Sequence, residues 1–134
     1  MIHATFSDAG AQPADSDLVT AAARCWRQAR DRGEAVQPCL ARLLAARDRA
    51  LLTPAFDSLL LFYELALGRP IRPGAAAPSK DERLLLALIE GSRGCDGLGC
   101  SRPLAEVLGC AVCSARAMLA GAAAGPEAAR PSRG

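Results

Sequence analysis

Thr53-Pro54-Ala55-Phe56-Asp57-Ser58-Leu59-Leu60-Leu61-Phe62-Tyr63-Glu64-Leu65-Ala66-Leu67-Gly68 carries helix signals at both ends and apolar side chains between them. Thr53 is a capping residue type. Pro54 suits the first helical position, where its missing N–H would have found no intrahelical acceptor. Gly68 provides the left-handed stop, and Pro70 blocks continuation. Phe56, Leu59, Leu60, Leu61, Phe62, Leu65 and Leu67 lie nearly all round this helix, and only Asp57 and Glu64 interrupt them, on one stripe. A helix apolar on every side has to be buried, in the domain or in an oligomer. The expectation is an all-α fold, a compact bundle of four to five helices with a central hydrophobic helix at about residues 54–67.

The flanking segments supply the surrounding helices. Before the central helix, Asp15 or Ser16 caps a helix ending at Arg32 with Gly33 as its stop. Leu18, Val19, Ala22, Cys25, Trp26 and Ala29 share one face of it, and Arg24, Arg27, Arg30 and Asp31 the other. Pro38 opens a second helix whose apolar side is Cys39, Leu40, Leu43, Leu44 and Leu51. Arg47 falls inside that arc, with its stem on apolar surface and its head in water. Beyond the central helix, Arg69–Pro78 is too rich in proline to be helical and reads as a surface crossing. Ser79-Lys80-Asp81-Glu82 is a capping box opening a helix packed through Leu84, Leu85, Leu88 and Ile89 and ended by Gly91 and Gly94. After the loop Cys95–Cys100, a last helix runs from Ser101–Pro103 to about Gly121. Leu104, Val107, Leu108, Ala111, Ala115, Met118 and Leu119 share one of its faces. The domain reading is a flexible N-terminal tail over 1–14, one helical domain over 15–122 and a disordered C-terminal tail over 123–134.

Composition agrees with one domain of this kind. Of 134 residues, 51% are hydrophobic and 22% charged, which is globular rather than disordered. Aromatics are 4%, so the core is built from Leu, Ala and Val, which suits packed helices. A formal net charge of +2 is too small to point to nucleic acid or an acidic membrane. Lys80 is the one lysine among sixteen basic residues, the usage of a GC-rich genome. Met1–Ala14 lacks the features of a signal peptide, and the unbroken apolar runs are short. The expected setting is therefore cytoplasmic, with reduced cysteines and with neither nucleic acid nor membrane as partner.

Few residues suggest chemistry. His3, the single histidine, lies in the N-terminal tail, so no Ser-His or Cys-His pair is expected. Asp57 and Glu64 are seven residues apart, about 10 Å along the axis, which is wide for paired catalytic carboxylates. Both are expected to line an exposed strip or to meet arginines of a neighbouring helix. Gly94, Gly97 and Gly99 form no phosphate-loop pattern. The gap between the last two helices is too long for a DNA-reading helix-turn-helix.

The cysteines are the unusual feature. Cys25 and Cys39 read as small core residues. Cys95, Cys100, Cys110 and Cys113 form a C-x4-C and a C-x2-C pair, the one candidate metal-ligand set. Cys113 projects opposite Leu104, with Cys110 about 60° from it. A shared metal would need residues 95–102 to double back along the last helix, at the expense of a Ser101 cap. As a reversible dithiol, Cys100 is the better nucleophile, because a helix N-terminus favours thiolate. No catalytic residue, cofactor or metal is assigned. The reading is a non-enzymatic helical interaction or assembly module with a homodimer or protein partner. The alternative is a thiol-based redox or metal-binding sensor using the four C-terminal cysteines.

Overall fold

A computed structural model of the chain describes residues 13–129, and side chains from 15 to 121. It has five α-helices: α1 (Pro13–Asp31), α2 (Val36–Ala45), α3 (Thr53–Leu67), α4 (Lys80–Glu90) and α5 (Arg102–Ala129). Short 3-10 turns, Ala50–Leu52 and Cys95–Leu98, precede α3 and α5, and no strand occurs among the described residues. The fold is all-α, as expected.

α3 is the centre of the packing. Phe56, Leu59, Leu60, Tyr63 and Ala66 are buried on it, against Trp26 of α1, Leu40 and Leu44 of α2, Leu85, Leu88 and Ile89 of α4, and Leu108 and Val112 of α5. Its most extensive partner is α5. Gly68 ends it at φ +73°, donating to the Glu64 and Leu65 carbonyls. Only glycine takes that conformation without steric cost. Thr53 acts differently from a cap. It is already helical, and its hydroxyl donates to the Ala50 carbonyl (2.7 Å), which ties α3 to the preceding turn. Cover of α3 within the chain is incomplete on one stripe: Leu61 is 38% exposed and Leu65 53%. Four neighbouring helices do not close round the fifth.

Two further expectations are corrected. α2 starts at Val36, before Pro38, and ends at Ala45. Asp48 adopts φ +58°, and the Arg49 N–H folds back to the Leu44 carbonyl (2.8 Å). A short polar side chain tolerates that left-handed conformation, so the helix stops without a glycine. Leu51, expected on its apolar face, is 84% exposed in the turn beyond, and Arg47 is exposed outside the helix. In α5 the buried stripe is Leu108, Val112, Ala115 and Leu119, with Val107 41% exposed. α5 also continues past Gly121 to Ala129. Of the tails expected at 1–14 and 123–134, residues 1–12, with His3, and 130–134 lie outside the described residues.

The capping box of α4 forms as expected. The Ser79 hydroxyl accepts from the Glu82 N–H (3.1 Å), and Glu82 Oε1 accepts from the Ser79 N–H (2.9 Å).

Candidate functional site

The connection from Arg69 to Pro78 is not a loose crossing, because three carboxylates hold it. Asp81 takes both guanidinium arms of Arg69 (2.6 and 2.8 Å) and the Arg72 N–H (2.8 Å). Glu82 takes a forked pair from Arg24 of α1 (2.8 and 2.9 Å). Arg24 also donates to the Ala75 carbonyl (3.0 Å). Glu64 accepts from Arg27 and from the Ile71 N–H (2.8 Å), and Ile71 is buried in the core. The arginines set the ionisation here. Arg69 holds the Asp81 carboxyl below its usual range against the opposing effect of burial. Burial pushes Glu82 up, but Arg24 and the Ser79 and Gly74 N–H groups outweigh it, and the carboxyl sits low. Tyr63, whose hydroxyl donates to the Asp81 carbonyl (2.7 Å), is driven upward by burial and then by the Asp81 charge.

Asp57 and Glu64, read as an exposed strip or as partners of neighbouring arginines, take different roles. Glu64 meets Arg27. Asp57 accepts from Trp26 Nε1 (2.8 Å) and from Gln37 (2.9 Å). They share no reacting centre.

An open groove of about 720 Å³ lies between the outer face of α1 and this connection. Arg24, Arg27, Gln28, Asp31 and Cys25 contribute to its lining. Its two arginines are already committed to Glu82 and to Asp31 and Glu64. Burial pushes the Cys25 thiol up, and Cys39 adds to this against Arg42. The groove thus offers no unengaged cation for an anionic ligand.

The other exposed feature is the outer face of α5. At 100° per residue, Val107, Cys110, Ser114, Ala117 and Gly121 fall on one side, opposite the buried stripe. All five are exposed. The only charged side chain from Val107 to Gly121 is Arg116, and it is turned aside. Its guanidinium caps α4, donating to the Ile89 (2.7 Å) and Leu88 (3.0 Å) carbonyls. Over Arg102–Gly121 the mean hydropathy is 1.5, yet only 22% of that window is buried. Ala50–Leu67 has the same hydropathy with 39% buried. Both stretches have the length and composition of a membrane span, which the criterion of unbroken apolar runs misses. Of the four large hydrophobic residues most exposed among those described, Leu61 and Leu65 lie on α3 and Val107 on α5, the two helices that pack most extensively.

The four C-terminal cysteines divide. The turn Cys95–Leu98 packs along α5, with Cys95 and Cys100 half-buried against the core. Burial raises the Cys95 thiol, as do Cys100, Cys113 and Asp96, while Arg116 opposes them. Cys100 and Cys113 thus each act on the Cys95 thiol, although Cys113, like Cys110, is exposed. Cys110 is exposed on the outer face and is not among the groups acting on Cys95. The doubling back that the sequence required does occur, and it leaves the Ser101 cap in place, with Ser101 Oγ accepting from the Leu104 N–H (3.3 Å). No group of three or more metal-binding side chains with suitable geometry is present among the described residues.

Comparison of the chain with protein-family models, with curated proteins and with solved structures finds no match. Sequence reasoning missed the carboxylates Asp81 and Glu82 as ties for the 69–78 connection. The available signal was four consecutive polar residues, Ser79–Glu82, next to arginines at 69 and 72. It also placed Val107 on the packed face of α5, where counting at 100° per residue from Leu108, Val112, Ala115 and Leu119 sets it to one side.

Proposed function

We propose that this chain is a non-enzymatic assembly module that pairs with a second copy of itself through the outer face of α5. One observation carries this reading: α5 is the longest described helix and is apolar over Arg102–Gly121, while only 22% of that window is buried. An exposed apolar face of that extent is unusual for a monomer and characteristic of interaction sites.

The chemistry of the face favours a second copy as the occupant. A two-fold contact presents the same patch from both sides, so the patch has to complement itself. A charged patch would repel its copy, and this face has no outward charge from Val107 to Gly121. Cys110, Ser114, Ala117 and Gly121 are small, and recur every three or four residues. Side chains of that size let two helices approach to the short end of the usual 8–10 Å separation. Leu61 and Leu65 leave a second apolar stripe open, on α3. A bilayer is less well suited. The stripe Leu108, Val112, Ala115 and Leu119 would have to leave the core, and Arg116 would lose the carbonyls it caps.

Sedimentation velocity of the full chain, with and without phosphatidylcholine vesicles, tests this. The expected result is a concentration-dependent dimer in both samples, with no protein floating with the lipid. Co-flotation, with monomer in the lipid-free sample, would replace assembly by a membrane surface.

A further inference from the structure

We propose that Cys95 and Cys100 form a redox modification site, a dithiol that a peroxide converts to a reversible disulfide closing the connection between α4 and α5. The inference goes beyond the assembly reading and does not depend on it.

The local fold shortens the chain between the two cysteines. From Cys95 to Leu98 the chain is a 3-10 turn, which rises only about 2 Å per residue. Gly99 then adopts φ +82° and reverses the chain before Cys100. Both cysteines pack against the core and both are half-buried. Ser101 caps α5 immediately afterwards, so Cys100 sits at the positive end of that helix. Arg116 stands beside Cys95, anchored by the Leu88 and Ile89 carbonyls. It supplies a fixed positive charge for a developing thiolate. Cys113, exposed and three residues from Arg116 on α5, also acts on Cys95.

The roles follow from these surroundings. Cys100 attacks one oxygen of the peroxide, the O–O bond breaks, and the sulfur becomes a sulfenic acid, oxidised by two electrons. The other peroxide oxygen leaves as water or as an alcohol. Cys95, the thiol that burial and its neighbours hold protonated, then resolves this intermediate. Its sulfur bonds to Cys100, the S–O bond breaks, and the hydroxide leaves with the Cys95 proton as water. Two thiols and one peroxide thus yield one disulfide, one water and one water or alcohol. A dithiol such as dithiothreitol reverses the change by exchange.

The full chain treated with hydrogen peroxide, alkylated without reduction and cleaved after glutamate decides the matter. Cleavage at Glu90 and Glu106 yields a peptide holding Cys95 and Cys100, apart from Cys110 and Cys113. The expected peptide is unalkylated, two hydrogens lighter than the dithiol, and gains two alkyl groups after dithiothreitol. In Cys95→Ser, Cys100 is expected to stop at a sulfenic acid trapped by dimedone, while Cys25→Ser leaves the disulfide unchanged. Full alkylation of both cysteines after peroxide overturns the proposal. So does covalent linkage of this peptide to the fragment beginning at Val107. Either result leaves the sedimentation test of assembly untouched.

Discussion

The two sides of the bundle use their polar residues in opposite ways. On the side of α1, the 69–78 connection and α4, carboxylates are turned inward and matched: Asp81 to Arg69, Glu82 to Arg24, Glu64 to Arg27. On the side of α3 and α5, the outward surface from Val107 to Gly121 is apolar or small and carries no outward charge. The first side is complete within one chain. The second has apolar surface left over. A fold can therefore satisfy itself locally with charge and still leave an apolar face open.

The largest expected effect tests whether the inside of α3 differs from its outside. Phe56→Ala should cost about 3–5 kcal/mol in urea denaturation, as for a fully buried aromatic. Leu65→Ala, half exposed, should cost below about 1 kcal/mol in the monomer. Equal losses at the two positions would remove the distinction between a buried and an open stripe.

Glycines sharpen the contrast with opposite signs. A Cβ on Gly74 would collide with the Ala77 carbonyl oxygen and approach the Ser79 nitrogen (2.7 Å), both backbone atoms. Gly74→Ala should destabilise by about 1–3 kcal/mol, the range for overpacking. A Cβ on Gly109 of α5 would meet nothing within 4 Å. Gly109→Ala should stabilise by about 0.5–1 kcal/mol, the usual gain of alanine over glycine inside a helix. Thermal denaturation of the two variants reads both signs.

Acid should loosen the charged side first. Asp81 and Glu82 are both held below their ordinary pKa. Their contribution is present above the unfolded-state pKa and is lost as pH falls through the folded-state one. Unfolding free energy should therefore be steady above the carboxylate range, about pH 4, and fall below it. Glu82→Gln should flatten that fall, and an unchanged slope would mean that Glu82 carries none of it. The smallest effect is expected at Arg102→Ala. Its contact with Glu106 is 3.8 Å long between exposed side chains, and its loss should stay within about 0.5 kcal/mol.

Local signals were legible in the sequence, whereas long-range cover was not. The Ser79–Glu82 capping box and the Gly68 and Gly91 stops act within a few residues, and all form as read. The Asp48 stop of α2 was missed because aspartate takes the left-handed conformation too seldom to be read as a stop. The apolarity of α3 was visible, but which stripe stays open depends on where α2 and α5 land. Likewise the C-x4-C and C-x2-C spacing was plain. That Cys100 and Cys113 act on Cys95 while Cys110 does not follows only once the turn Cys95–Leu98 lies along α5. The pairing of Arg24 with Glu82, 58 residues away, has no signature in either local segment.

The most direct test of the central claim is light scattering coupled to size-exclusion chromatography at micromolar concentration, on the wild-type chain and on Val107→Glu combined with Ala117→Glu. Both positions are exposed, so the pair of charges should leave the fold and its circular dichroism intact. The account predicts a dimer mass for the wild type and a monomer mass for the variant. A wild-type monomer across the concentration range, or a dimer unaffected by the two glutamates, would contradict it.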